Sequence, residues 1–137
     1  MAHYGAMTDF IDFKTLKRPL KPNTCLVAPE GFCEAASADF VPPVFNMDCD
    51  ALFDRLIAHI RSQTRWSNLL TDSSTWRLRC IAATPWLRFK DDIDIQLIPV
   101  NTETTTLAVY SRSRVGYSDL GANRKRVEAL IASLRKP

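Results

Sequence analysis

The residues of this chain best equipped for chemistry crowd into one stretch, Ser111 to Arg126, SRSRVGYSDLGANRKR. It holds Arg112 and Arg114, a glycine, the cluster Tyr117-Ser118-Asp119, then Asn123 and the basic run Arg124-Lys125-Arg126. A plain strand-to-helix joint needs no such density. Residues two apart on a strand share a side, so Arg112 and Arg114 present paired guanidinium forks, a shape suited to phosphate or carboxylate. Tyr117, Ser118 and Asp119 fall where a helix should begin. A helix N-terminus offers unpaired backbone N–H groups to an anion, and Arg124 could assist from the side. The plainer reading is capping of that helix by Ser118.

A second candidate is the carboxylate pair Asp91 and Asp92. Paired carboxylates can exchange protons or hold a metal. Neighbours on a strand project to opposite sides, however, so these two make a poor dyad. The preferred reading is a structural network in which Arg112 or Arg114 pairs with Asp91, Asp92 or Asp119. The alternative is a hydrolase-like enzyme using Asp91 or Asp92 with arginines as stabilisers. Ser118 is a weak nucleophile candidate, because His3 and His59 are the only histidines and a triad would need His59. His59 itself borders an apolar helix stripe and reads as a boundary residue.

The cysteines are Cys25, Cys33, Cys49 and Cys80, with no CxxC pair and no histidine nearby. That spacing excludes the usual zinc patterns, so no metal and no cofactor is expected. Cys80 lies in an apolar strand pattern and reads as a small buried hydrophobe. Cys25 and Cys33 flank Pro29-Glu30-Gly31; they could bridge in an oxidising compartment and would stay thiols in a reducing one.

At 137 residues and 46% hydrophobic content the chain should form one domain with a real core. Its expected limits are 21–137, after a flexible stretch 1–20. The net charge of +3 is unevenly placed. Residues 1–68 carry 7 basic and 8 acidic groups, whereas 69–137 carry 11 and 7. An anionic small molecule or an acidic protein partner should therefore meet the C-terminal part. Tyr110 is the only aromatic on the basic strand face, which argues against nucleic acid. No run of 18 apolar residues exists to span a membrane, and the start MAHYGAMTDF does not read as a signal peptide. Location stays open: cytoplasmic as the chain stands, periplasmic or membrane-anchored if a leader preceded it.

The elements that would position these groups follow from periodicity. Five prolines within 14–46 exclude a long helix there. That segment should be a docked arm with short extended pieces at Leu26-Val27-Ala28 and Phe40 to Phe45. Leu52, Phe53, Leu56, Ile57 and Ile60 make one apolar stripe, predicting a helix over 49–64 capped by Asp48. Alternation predicts strands at 75–84, 92–100 and 104–114. A last helix is expected at about 119–134, its stripe formed by Leu120, Val127, Leu130, Ile131 and Leu134. Asn123 lies on that stripe and should be buried, its amide satisfied by backbone groups of the turn Val115-Gly116-Tyr117.

The stretch SRSRVGYSDLGANRKRVEAL, with Arg88-Phe89-Lys90-Asp91-Asp92 as a Phe-x-Asp-Asp motif and Pro22-Asn23 near the start, resembles the Domain of Unknown Function 1499 family over roughly residues 20–134. The resemblance implies no activity, since the family is uncharacterised. It does imply kinship with bacterial proteins, many exported or membrane-anchored through an N-terminal apolar segment, and with plant relatives. The start MAHYGAMTDF does not read as such a segment, so localisation is an open expectation.

The expected architecture is α+β: an antiparallel sheet of three to four strands, two helices on one face, and a Pro-rich docked arm before them. Arg77, Arg79, Arg112 and Arg114 would then share the other face with Tyr110, Asp94 and Gln96. That face is either an anion platform, a solvated set of Arg–Asp pairs, or a surface partly covered by the arm, since Ile81 and Ile98 lie there too. The functional expectation is a non-catalytic binding or interaction domain whose anion-preferring surface lies near Arg112, Arg114 and the start of the last helix.

Overall fold

Strands with one apolar side must all turn that side toward the same cover, and a meander does this with the shortest connections. The structure, a computed structural model, describes residues 10–136. In chain order it contains β1 (Thr24–Val27), α1 (Cys49–Ser62), β2 (Trp66–Asp72), β3 (Arg77–Ala83), β4 (Lys90–Pro99), β5 (Thr105–Ser113) and α2 (Ala122–Arg135). The strands form one antiparallel sheet in the order β1-β5-β4-β3-β2. The class is α+β with two helices, and the sheet has five strands instead of three to four.

The two extra strands are the edges. β1 grows from the short extended piece at Leu26-Val27 and pairs with β5, Leu26 opposite Tyr110. β2 escaped the periodicity because its register shifts between Ser67 and Leu70, where Asn68 adopts φ 56°. One inserted residue turns the alternation over, and an edge strand has little burial to enforce a pattern. Phe40 to Phe45, the expected fourth strand, makes only single bridges, Val27 to Phe40 and Phe45 to Thr105. Pro42 and Pro43 have no N–H with which to extend a ladder.

Both helices cover one face. Leu52, Phe53, Leu56 and Ile60 of α1 and Val127, Leu130, Ile131 and Leu134 of α2 close over Leu78, Cys80, Ile93, Ile95, Leu97, Leu107 and Val109. Burying each large side chain contributes about 1.5–3 kcal/mol. Asp48 caps α1, accepting from Ala51 N at 2.9 Å. α1 ends at Ser62, two residues early, where Gln63 becomes extended. α2 starts at Ala122, three residues late: Gly121 takes φ 81° at the N-cap, and Leu120, at φ 55°, leaves the stripe and is exposed.

The opposite face is not open beneath Tyr110. Phe13, Leu26, Ala28, Ala108 and Tyr110 form a second apolar cluster, with Leu16, Phe32 and Cys33 against it. The Asp39 carboxylate accepts from Leu26 N at 2.8 Å and pairs with Arg18 at 2.8 Å, tying this part of the chain to β1. Residues 1–9, part of the stretch expected to be flexible, lie outside the described residues, and so does His3. Phe10 and Phe13, in the remainder of that stretch, are buried. No helix among the described residues is long and apolar enough to cross a membrane.

Cys25 packs in the helix-side core and Cys33 against the cluster on the other face, so a bridge between them would have to cross the sheet. All four cysteines are free thiols. Burial pushes the Cys25 and Cys80 thiols up to about 12. In native protein at pH about 8, both should resist a water-soluble thiol reagent and titrate only after denaturation. Four fast-reacting thiols in the native state would contradict this packing.

Candidate functional site

β4 opens with three carboxylates in four residues, Asp91, Asp92 and Asp94, and the structure places all three in its buried set. Such groups need cations, and β5 and α2 supply them. The antiparallel register sets Asp92 opposite Arg112 and Asp94 opposite Tyr110. Each arginine reaches diagonally. Arg112 Nη1 donates to Asp94 Oδ2 at 2.7 Å, its guanidinium lying 4.8 Å from the Tyr110 ring centre. Arg114 grips Asp92 with both ends of its fork, Nε to Oδ2 and Nη2 to Oδ1, each at 2.9 Å. Arg79 adds a 3.5 Å contact to Asp92. The expected pairing of Arg114 with Asp92 is therefore present.

Asp91 projects to the other side of the sheet, as strand alternation demands, and meets Arg126 at 2.9 Å. The two adjacent carboxylates thus never share a site. Burial pushes Asp91 and Asp94 above the ordinary carboxylate range despite their arginines. Asp92 moves the other way, held down first by its hydrogen bonds to Arg114.

The helix side carries a second network, centred on Asn123, which is fully buried. Its Oδ1 accepts from Ser111 Oγ at 2.6 Å and Arg126 Nη1 at 2.9 Å. Its Nδ2 donates toward the Asn23 carbonyl (3.0 Å), Ser113 Oγ (3.0 Å) and Asp119 Oδ2 (2.7 Å). None of these partners is a backbone group of Val115-Gly116-Tyr117, the expected ones; within that turn the Gly116 carbonyl accepts instead from Asn23 Nδ2 at 2.8 Å. Gly116 takes φ 86° in that turn, a region other residues resist. Ser118 does not cap α2; it only accepts from Leu120 N at 3.2 Å. Asp119 takes the terminal donors, accepting from Gly121 N (2.8 Å) and Asn123 N (3.0 Å). Burial raises Asp119, but these N–H groups and the Asn123 amide outweigh it and hold the carboxyl below its usual range. The anion expected at this helix start is the chain's own carboxylate.

The candidate residues therefore divide. Arg112, Arg114 and Asp92 gather on one face, while Asp91, Asp119 and Asn123 gather on the other. Arg124 turns away to Glu128 (3.3 Å) and lies over the Phe40 ring (4.8 Å). Tyr117 and Ser118 are exposed. Asn23, Ser111, Ser113 and Arg126 join the network beyond the candidate site residues. Arg126 sits three residues after Asn123, the spacing of a shared helix face, which would have separated it from its basic neighbours.

The turns beyond this network form the sheet end. Lys90 O accepts from Arg114 N, Asn23 O from Ser113 N, and Arg65 O from Ala83 N, so the connections at 19–23, 63–65, 84–89 and 114–121 lie side by side in sheet order. They expose Trp86, Leu87 and Phe89 on one turn and Val115, Tyr117 and Leu120 on the next. Trp86 is 95% exposed with φ 67°, and Leu120 is 90% exposed with φ 55°. Left-handed backbone at a bulky residue costs on the order of 1 kcal/mol. An open cleft of about 770 Å³ lies beside Trp86, lined by Arg65, Trp66, Thr84 and Arg88 and by no residue of 111–126. Among the described residues no group of three His, Cys, Asp or Glu side chains could hold a metal ion.

The family described as Protein of unknown function (DUF1499) matches residues 22–134, a span that includes Asn23, the three aspartates and Asn123. The chain belongs to that family. No curated protein matches it. Among solved structures it is similar to the di-domain ARO/CYC BexL from the BE-7585A biosynthetic pathway, with TM-score 0.51 and 13% identity. The match covers 68% of this DUF1499 chain and 43% of that one, and at such identity the likeness is one of fold.

Asn123→Leu keeps the volume but strands Asn23 O, Ser111, Arg126 and Asp119 without their amide. It should destabilise by about 2–4 kcal/mol in chemical denaturation; unchanged stability would deny the amide its structural role. Asp119 supplies a pH-dependent share. Its folded pKa is depressed, so its stabilisation is present above the unfolded value and lost as pH falls through the folded one. The gap in Tm between wild type and Asp119→Ala should be full at pH about 6 and shrink toward pH about 2. A constant gap would mean that the charge contributes nothing.

Proposed function

We propose that this chain is a non-catalytic interaction domain. Its working surface is the sheet end beside Arg112, Arg114 and the start of α2, and that surface prefers anions. One observation carries the reading: the two ends of the sheet differ in charge. Residues 19–23, 63–65, 84–90 and 114–125 contain seven lysines and arginines and one carboxylate, Asp119, which is committed to the start of α2. The connections toward the other end, 28–48, 73–76 and 100–104, contain five carboxylates and no basic residue; Asp39 among them pairs with Arg18 beside β1, and Arg55, Arg135 and Lys136 stand near residues 44–47. Such polarity draws an anionic partner to one end and turns the other away.

The arginines expected to bind directly act one step back. Arg112 is committed to Asp94 and Arg114 to Asp92. They hold the β4–β5 end rigid, while Arg88, Lys90 and Lys125 stand exposed around it. Within the segment before α1, Phe32, Cys33 and Ala36 pack on the opposite face, while Phe40, Phe45 and Met47 pack on the helix side, Phe40 under Arg124. Asp91 and Asp92 support catalysis poorly, since each is locked to an arginine on a different side of the sheet.

Titration with inorganic pyrophosphate, followed by backbone amide NMR, tests the reading. Shifts should concentrate in 84–90 and 114–121 and fade with added salt. Shifts centred on 28–48, or none, would overturn it.

A further inference from the structure

Resting on that reading, we infer that the anionic partner is a phospholipid bilayer surface, which this end of the sheet touches as a peripheral contact. Of the large apolar side chains exposed among the described residues, Leu20, Trp86, Leu87, Phe89, Val115, Tyr117 and Leu120 lie at this end. Leu20 precedes β1, the next group caps the β3–β4 hairpin, and the rest follow β5. They are carried on three different connections, and Trp86 also borders the open cleft beside Arg65 and Trp66. A protein partner anchors such side chains in matching pockets within a tightly complementary contact. The headgroup boundary of a bilayer instead accepts separate protruding side chains to a depth of about 5–10 Å.

Residue types and order fit that medium. Trp and Tyr favour the headgroup level, where an apolar ring and a polar atom are both satisfied. In Trp86-Leu87-Arg88-Phe89-Lys90 the cations fall between and after the apolar side chains, level with the phosphates those side chains would pass. Exposed basic residues at a membrane surface are drawn to anionic lipid. Glu30, Glu34, Asp48 and Glu103 on the opposite connections would be repelled by the same surface, so the charge distribution favours one docking direction.

Sedimentation of the full chain with vesicles tests this. Vesicles of phosphatidylcholine alone serve as reference, against phosphatidylcholine with about 30% phosphatidylglycerol. The chain should pellet with the anionic vesicles only, with a blue shift of tryptophan emission that Trp86→Phe abolishes. Trp86→Ser with Leu120→Ser, and separately Arg88→Glu with Lys90→Glu, should each weaken binding about tenfold or more without lowering Tm, since all four side chains are exposed. Pelleting that ignores Trp86 and Leu120 would be mere charge adsorption and would overturn the inference. So would tighter retention on immobilised polyglutamate than on vesicles, which would indicate an acidic protein. Absent pelleting with pyrophosphate shifts still confined to 84–90 and 114–121 would sink the lipid partner and leave the anionic surface standing. Loss of both results would remove both readings.

Discussion

Carboxylates cannot enter a sheet without cations, and β4 carries three of them within four residues. An unpaired buried carboxylate is far costlier than a lost surface contact, and removing one partner of a buried ion pair costs about 3–5 kcal/mol. Asp91, Asp92 and Asp94 therefore dictate where three arginines must be. Two come from β5, already adjacent by register. The third must come from above the sheet, and this fixes how α2 lies across it. Much of the unusual density between Ser111 and Arg126 is charge balance for the neighbouring strand.

Asn123 adds direction to this balance. An ion pair tolerates some rotation, whereas an amide with one acceptor and two donor hydrogens does not. By joining Ser111 and Ser113 of β5, Arg126 in α2's first turns, Asp119 just before that helix, and Asn23 before β1, it fixes three elements at one point. Asn23 reciprocates through Gly116. The rigid end that results is what allows bulky apolar side chains to stand out on the turns beyond it.

Local patterns made part of this legible. Period-two alternation revealed β3, β4 and β5, and the apolar stripes revealed both helices. The same-side rule brought Arg114 toward an aspartate, and a lone amide on an apolar stripe signalled a buried Asn123. Other features depended on information far away in the chain. The partner of Asn123 is 100 residues distant, and only sheet register decides that Arg112 takes Asp94 while Arg114 takes Asp92. β2 was hidden by one bulged residue at Asn68. The start of α2 was misplaced because Asp119, two residues before the N-cap, takes the donors that Ser118 was expected to satisfy. The cover over Tyr110 rests on Phe13 and Phe32, whose spacing carries no period.

The pairing of β1 with β5 joins the first strand to the last. Residues 24–27 find their ladder only when 109–112 arrive. During synthesis the N-terminal edge must wait for most of the chain, and β2 to β4 can pair as hairpins well before it docks. The Asn23–Asn123 contact comes later still. Closure by such distant segments carries a large loop entropy and slows folding. Until β5 leaves the ribosome, Leu26 and Val27 remain an unpaired apolar strand, a segment prone to aberrant pairing. The fold is completed from its C-terminal end, so a chain truncated before β5 lacks the ladder that holds its own beginning.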